Sequence, residues 1–214
     1  MTQGKRQSTW PSAVPPQQHN FEDAAGKALA LLCKQPAEQL KWLGGQPAGD
    51  LWIVPVLNDE FSVDPAGGTV LGKAGQAVGR WWRILTLHYL AVSSRPPDRP
   101  PAVTFADLPA GRAYGEVYRQ RVIEQLVRKV GPDTESLRRA GCALGGRAVA
   151  AGDAAFDFQV YPRVRFRVIW YAGDTEFAPS ATLLMPDNVE SFFCTEDIVV
   201  LSERLISRMA SGPF

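Results

Sequence analysis

Between Phe156 and Met185 the chain alternates so regularly that it allows few folds. Phe156, Phe158 and Val160 are interleaved with Asp157 and Gln159. After Tyr161-Pro162, the residues Val164, Phe166, Val168 and Trp170 are interleaved with Arg163, Arg165 and Arg167. A period of two sends successive side chains to opposite faces of a strand, so each segment carries one apolar and one polar face. Proline cannot donate to a strand ladder and suits the junction, so the two segments form an antiparallel pair. In that pair Asp157 can face an arginine. The three guanidinium groups then have two readings, a solvated face with cross-strand ion pairs worth about 0.2–1 kcal/mol each or an anion-binding surface, since arginine offers carboxylate and phosphate a planar fork of donors.

The rest of the chain surrounds this ribbon with helices. Phe21 to about Cys33 carries a broad apolar stripe, and Pro36 opens a second short helix that Gly44-Gly45 ends. Leu51 to Leu57 is a strand whose Pro55 indicates an edge or bulge, turned by Asn58-Asp59 into Phe61-Ser62-Val63. About Ala74 to Val92 is apolar nearly all round and reads as the central helix of a core, with His88 on it. Tyr114 to Val130 reads as one amphipathic helix stopped by Gly131-Pro132, and Asp133 or Thr134 caps a short helix after it. Gly141 to Arg147 fits neither a dinucleotide fingerprint nor a phosphate loop and reads as a helix end with a tight turn. Ala181 to Met185 is a further strand, and Thr195 caps the last helix. The expected class is α+β: a single domain over 21–214, mostly antiparallel sheet packed against a central apolar helix and further helices, preceded by a flexible tail over 1–20.

Composition excludes several function classes. At 214 residues, 45% hydrophobic and 21% charged, the chain is globular and long enough for one buried core. No apolar run of about 18 residues is present, and Met1 to Asn20 lacks the apolar centre of a secretory signal, so no membrane partner and a cytoplasmic location are expected. The cysteines Cys33, Cys142 and Cys194 lie far apart and read as small buried hydrophobes. Of two histidines, His19 is in the tail, which leaves His88 for any Cys/His metal site or nucleophilic triad; neither a metal nor a cofactor is expected. Residues 112–167 hold 11 basic and 6 acidic groups, and residues 168–214 hold 2 and 7. Such neighbouring opposite charges pair within a fold more readily than they form a nucleic-acid footprint.

The segments Leu85 to Leu90, Thr104-Phe105, Leu108-Pro109 leading to Tyr114, Leu144-Gly145-Gly146, and Trp170 to Phe177 occur in this order. Together they resemble a bacterial and archaeal family catalogued only as a domain of unknown function, DUF3786, from about Leu51 to the C-terminus. The most specific element is the Gly-Asp-x-Glu-Phe loop, Gly173 to Phe177. Some relatives carry an iron–sulfur module ahead of this domain, which implies company with redox or corrinoid metabolism; the tail here has no cysteine, so no cluster is carried over. Thr175 stands where the family pattern has an acid, and Met185-Pro186 where it has phenylalanine and aspartate. Both departures weigh against a charge-dependent role for the loop.

Three functions compete. The first is a non-catalytic ligand-binding or accessory protein, with an anionic small molecule or a protein as partner, using Arg163, Arg165, Arg167, Asp174, Glu176 and His88. The second is a hydrolase-like enzyme with Asp174 and Glu176 as an acid/base pair. The third is a protein–protein adaptor that docks through a basic helix face or an apolar patch. His88 has a structural reading as well, a buried imidazole bonded to a backbone or tyrosine partner. Strand order and oligomeric state are not readable from one sequence.

Overall fold

The computed structural model describes residues 21–130, 133–212 and 214; the expected tail over 1–20 and the Gly131-Pro132 stop lie outside them. The architecture is α+β, and every strand pairing is antiparallel. The strands divide between two sheets. The first is a meander of β1 (Gln46–Ala48), β2 (Leu51–Val56), β3 (Asp59–Asp64) and β4 (Thr69–Leu71) in sequence order. The second contains β5 (Pro101–Val103), β6 (Arg147–Val149), β7 (Ala154–Tyr161), β8 (Val164–Tyr171) and β9 (Ser180–Pro186) in the order β5-β9-β8-β7-β6.

Pro55 sits in β2 without breaking the first sheet. Strand β1 reaches along β2 only as far as Ile53, so Pro55 has a strand neighbour on the β3 side alone. The β2–β3 turn falls one residue earlier than expected, at Leu57-Asn58, because Val56 lies opposite Asp59. Leu57 adopts φ 54°, a region costly for a non-glycine residue. It is held there from both sides: its N–H donates to the Val160 carbonyl and the Asn58 amide donates to the Ala143 carbonyl. The tip of the first sheet is thereby pinned to the second.

Helix α1 (Phe21–Leu32) and the short α2 (Ala37–Trp42) precede the first sheet. The central helix, α3 (Arg80–Leu90), buries Trp82, Leu85, Leu87, Tyr89 and Leu90 almost completely, and each such burial stabilises by about 1.5–3 kcal/mol. It begins later than its apolar pattern suggests. Gly75 has φ 78°, Gly79 is extended, and Leu71 bridges to Ala77, so the preceding residues close a turn against β4.

Helix α4 (Gly111–Tyr118) continues through a π-helical turn, Arg119–Ile123, into α5 (Glu124–Val130). A Cβ on Gly111 would lie 1.7 Å from the Phe105 carbonyl oxygen, so only glycine lets this helix start against the 3-10 turn Phe105–Asp107. Asp133 caps α6 (Thr134–Ala143) by accepting the Ser136 N–H at 2.6 Å. Helix α7 (Thr195–Met209) has Cys194, not Thr195, at its N-cap, which leaves Asp197 in its first turn free to reach another helix. No helix among the described residues is long and apolar enough to cross a membrane.

Candidate functional site

The arginine ladder is present and each rung is occupied. The β7–β8 register sets Asp157 opposite Arg167 and Gln159 opposite Arg165. Arg167 Nε lies 2.6 Å from Asp157 Oδ1 and its Nη2 3.1 Å from Oδ2, while Arg147 on β6 reaches Oδ2 at 3.1 Å. The Asp157 side chain is only 2% exposed. Burial would raise its pKa, but the hydrogen bonds from Arg167 and Arg147 outweigh that and hold the carboxyl below its ordinary range. Arg165 Nε donates to Gln159 Oε1 at 3.2 Å. Arg163 lies in the turn before β8, where its Nε donates to the Trp42 carbonyl at 2.8 Å and its guanidinium stacks 4.7 Å from the Trp42 ring centroid. The three guanidinium groups serve three different partners.

The acidic loop lies at the other end of β8, a strand whose length of about 23 Å separates it from Arg163. Asp174 Oδ1 accepts the N–H groups of Glu176 and Phe177, both at 2.8 Å, and the Asp174 N–H donates to the Phe177 carbonyl. Those two N–H donors hold the Asp174 carboxyl below its usual range. This is an aspartate turn closed on itself. Glu176 and Phe177 are exposed, and the hollow of about 380 Å³ at the loop is lined only by residues 173–179. Neither the arginines nor His88 reach it.

His88 binds a carboxylate rather than a backbone group or a tyrosine: its Nδ1 is 2.7 Å from Asp197 Oδ2, with side chains 21% and 7% exposed. Beside this pair, partial burial of the sulfur and the Asp197 carboxylate push the Cys194 thiol up to about 11. A thiol held protonated is the reverse of an activated nucleophile. The expectation that the cysteines are buried is not met. Cys33, Cys142 and Cys194 are all exposed free thiols, because each sits at a helix end, where side chains meet solvent. Among the described residues, no three or more His, Cys, Asp or Glu side chains are grouped to hold a metal ion.

The region that sequence reasoning passed over is the π turn. Its apolar residues cluster at spacings of three and four and read as plain helix, yet within them Tyr114, Tyr118, Val122 and Leu126 follow one another at spacings of four. In an α-helix such a stripe drifts around the axis, and one inserted residue restores it. Tyr118, Val122 and Leu126 are accordingly all buried. The insertion aims Arg121 at α7, where it takes Glu203 Oε1 at 2.8 Å, Glu196 Oε1 at 3.2 Å and the Tyr114 hydroxyl at 3.0 Å. Burial would lower the Arg121 pKa, and these carboxylates more than reverse it.

Two cavities flank the π turn. One, of about 340 Å³, is mainly apolar, with Phe105, Tyr118 and Ile123 facing Ala181 and Leu183 of β9 and with Glu116 and Arg119 at its rim. The other, of about 320 Å³, lies towards α7 and is lined by Gln120, Arg121, Gln125, Lys129, Glu203 and Arg204, with Ile206 as its apolar contribution.

The apolar cavity borders a stretch of β9 that has strand pairing on one side alone. Strand β5 pairs with β9 only at Met185 and Pro186, so among the described residues Ser180 to Leu184 have a strand neighbour on one side alone. The Trp170 carbonyl accepts from Asp153, so the backbone of Trp170 faces β7. Backbone polar groups alternate sides along a strand, which turns Ile169 and Tyr171 towards β9. Their partners Thr182 and Ser180 face β8 in return, and the N–H and C=O groups of Ala181 and Leu183 point to the other side, where Ala181 is half-buried and Leu183 lies beneath the helical segments packed on β9.

Fold and cavities together define an α+β domain in which Asp174 and His88 are tied into a turn and an internal pair while Glu176 is exposed, with two cavities beside one irregular helix. The chain belongs to the family described as Domain of unknown function (DUF3786), which it matches over residues 35–208. That match begins upstream of Leu51 and takes in α2. No curated protein and no solved structure matches the chain.

Proposed function

We propose that this protein is a non-catalytic accessory domain that docks an extended segment of a partner protein along the outer edge of β9. The observation that carries the reading is the stretch Ser180 to Leu184 of β9, which has no second strand neighbour among the described residues and whose half-buried Ala181 lies beside an apolar groove. A row of outward backbone donors and acceptors is a template for strand addition. The main chain of the incoming segment supplies hydrogen bonds of about 0.5–1.5 kcal/mol each, and the groove takes one large apolar side chain from alternate positions along it. Support for a non-catalytic role comes from the ionisable groups: Asp157 is clamped by Arg167 and Arg147, His88 is bound to Asp197, and Asp174 closes its own turn. An acid/base pair formed by Asp174 and Glu176 would need the first of these to give up its two backbone donors.

A display library of extended peptides with apolar residues at alternate positions tests the proposal. The wild-type domain is expected to enrich a family of such peptides. Ala181→Pro, which removes an outward N–H and places a ring at the edge, is expected to weaken the best of them about 10-fold or more, a loss of about 1.4 kcal/mol. Enrichment no better than background, or binding that Ala181→Pro leaves intact, overturns the reading.

A further inference from the structure

We infer that the second cavity, between the π turn with α5 on one side and α7 on the other, is a binding site for a compact dianionic head group, a phosphate ester or a dicarboxylate. Its wall carries Arg121, Lys129 and Arg204 against a single carboxylate, Glu203. Both Glu203 oxygens are taken by Arg121, through Nε at 2.8 Å and Nη2 at 3.2 Å. Arg121 is itself saturated, because it also binds Glu196 and the Tyr114 hydroxyl.

This leaves Lys129 and Arg204 without a carboxylate partner among the described residues, on opposite walls of one cavity. Arg204 Nε is buried and has no hydrogen-bond acceptor among the described residues, an arrangement that costs free energy. The Gln125 carbonyl oxygen is engaged by Arg128, which leaves its amide N–H₂ as a neutral donor to the same space. An arginine fork, an ammonium and an amide converging from two helices match the several lone pairs of a phosphate or a carboxylate pair. The volume of about 320 Å³ admits the organic body of a small metabolite behind the head group. The salt-bridged Arg121–Glu203 pair forms the rigid floor that keeps the two helices at this spacing. The anionic partner expected from the sequence is thus relocated from the β8 arginines to the helices, and the site is independent of the β9 edge.

Titration calorimetry at low ionic strength, using inorganic phosphate and succinate with chloride at matched ionic strength, tests the inference and separates the two sources of dianion. Saturable binding of phosphate or succinate is expected, absent with chloride. Arg204→Gln and Lys129→Gln are each expected to weaken it about 10-fold, one lost charge-assisted contact. Arg165→Gln, on the sheet face outside this cavity, leaves it unchanged. Lys129 is exposed, so Lys129→Gln gives a folded variant even if the Arg204 replacement destabilises the helix contact. Heats no larger than those of chloride, or equal affinities in the wild type, Lys129→Gln and Arg204→Gln, overturn the site.

Discussion

The β7–β8 face and the π turn are both rich in arginine, and they use it in opposite ways. On the sheet, a regular period of two places Arg165 and Arg167 opposite fixed acceptors, and Asp157 is enclosed to 2% exposure by Arg167 and Arg147. On the helix, an inserted residue breaks the period; Arg121 is consumed in bracing α7, while Lys129 and Arg204 have no counter-ion among the described residues and line a cavity. Regular spacing gives each charge a neighbour and so tends to neutralise it. Irregular spacing leaves cavities on both sides of the π turn.

The comparison predicts its largest effect at Asp157. Breaking a buried ion pair costs about 3–5 kcal/mol, and because the Arg147 side chain is 71% exposed and that of Arg167 26%, Asp157→Ala is expected to cost about 2–3 kcal/mol, lowering the melting temperature by about 5–10 °C. The sign of the pH dependence follows from the depressed folded pKa. The contribution is complete at neutral pH and is lost as pH falls below the ordinary carboxyl value of 3.8 towards the lower folded value. Urea unfolding of wild type and variant between neutral pH and acid checks this, since the two curves should converge as pH drops. Equal stability at neutral pH would mean that the sheet face is as loosely held as the helix.

The second effect is expected at the pair that links the central helix to α7. Asp197→Asn keeps the shape but removes the charge opposite His88, and a buried hydrogen bond to a charged group is worth about 1.5–3 kcal/mol; with the His88 side chain 21% exposed, about 1–2 kcal/mol is expected. The same change removes the carboxylate that helps to push the Cys194 thiol up to about 11. In a background with Cys33 and Cys142 replaced by serine, alkylation of Cys194 at mildly alkaline pH should therefore accelerate. An unchanged alkylation rate would show that burial alone sets that thiol.

How legible these regions were in the sequence follows from the same contrast. The ribbon from Phe156 to Trp170, its antiparallel pairing and an arginine within reach of Asp157 are readable because a period of two maps directly onto geometry. The depth at which Asp157 sits was not, since its enclosure depends on Arg147 from β6, a three-residue strand too short for any periodic signal. The strands β1, β4 and β5 were missed for that reason. The central helix was legible, but its start was not, because Gly75 and Gly79 act through backbone conformation rather than through hydrophobic pattern. Arg165 and Arg167 lie on one strand as the period of two implies, whereas Arg163, expected on the same strand, falls in the turn before it and finds its partner, Trp42, 121 residues away. The π turn was written in the run of fours from Tyr114 to Leu126, a pattern that reads as ordinary amphipathicity unless its drift is followed.

Deleting Gln120 sharpens the comparison further. Gln120 is exposed, and removing it lets the turn Arg119–Ile123 relax to α-helical spacing. The flanking faces keep their register because the deleted residue offsets the inserted one, but the turn that lines both cavities, with Gln120 and Arg121 on one side and Arg119 and Ile123 on the other, is rebuilt and Arg121 is turned away from its contacts. The expected result is a folded domain that loses both peptide and dianion binding, whereas Ala181→Pro affects the first alone and Lys129→Gln the second alone. Loss of one binding activity with retention of the other would show that the π turn serves only that cavity.

The smallest effect is expected at the loop that looked most distinctive in the sequence. Asp174→Ala removes the acceptor of the Glu176 and Phe177 N–H groups, but the loop is exposed and those donors can turn to water. The unfolding midpoint should stay where it is, while amide exchange at Glu176 and Phe177 accelerates. Binding of both peptide and dianion should also persist, because neither cavity includes a residue of 173–179. If Asp174→Ala instead abolished binding of either ligand with the fold intact, the loop would be part of a site and the division between closed charges and open cavities would fail at its most exposed point.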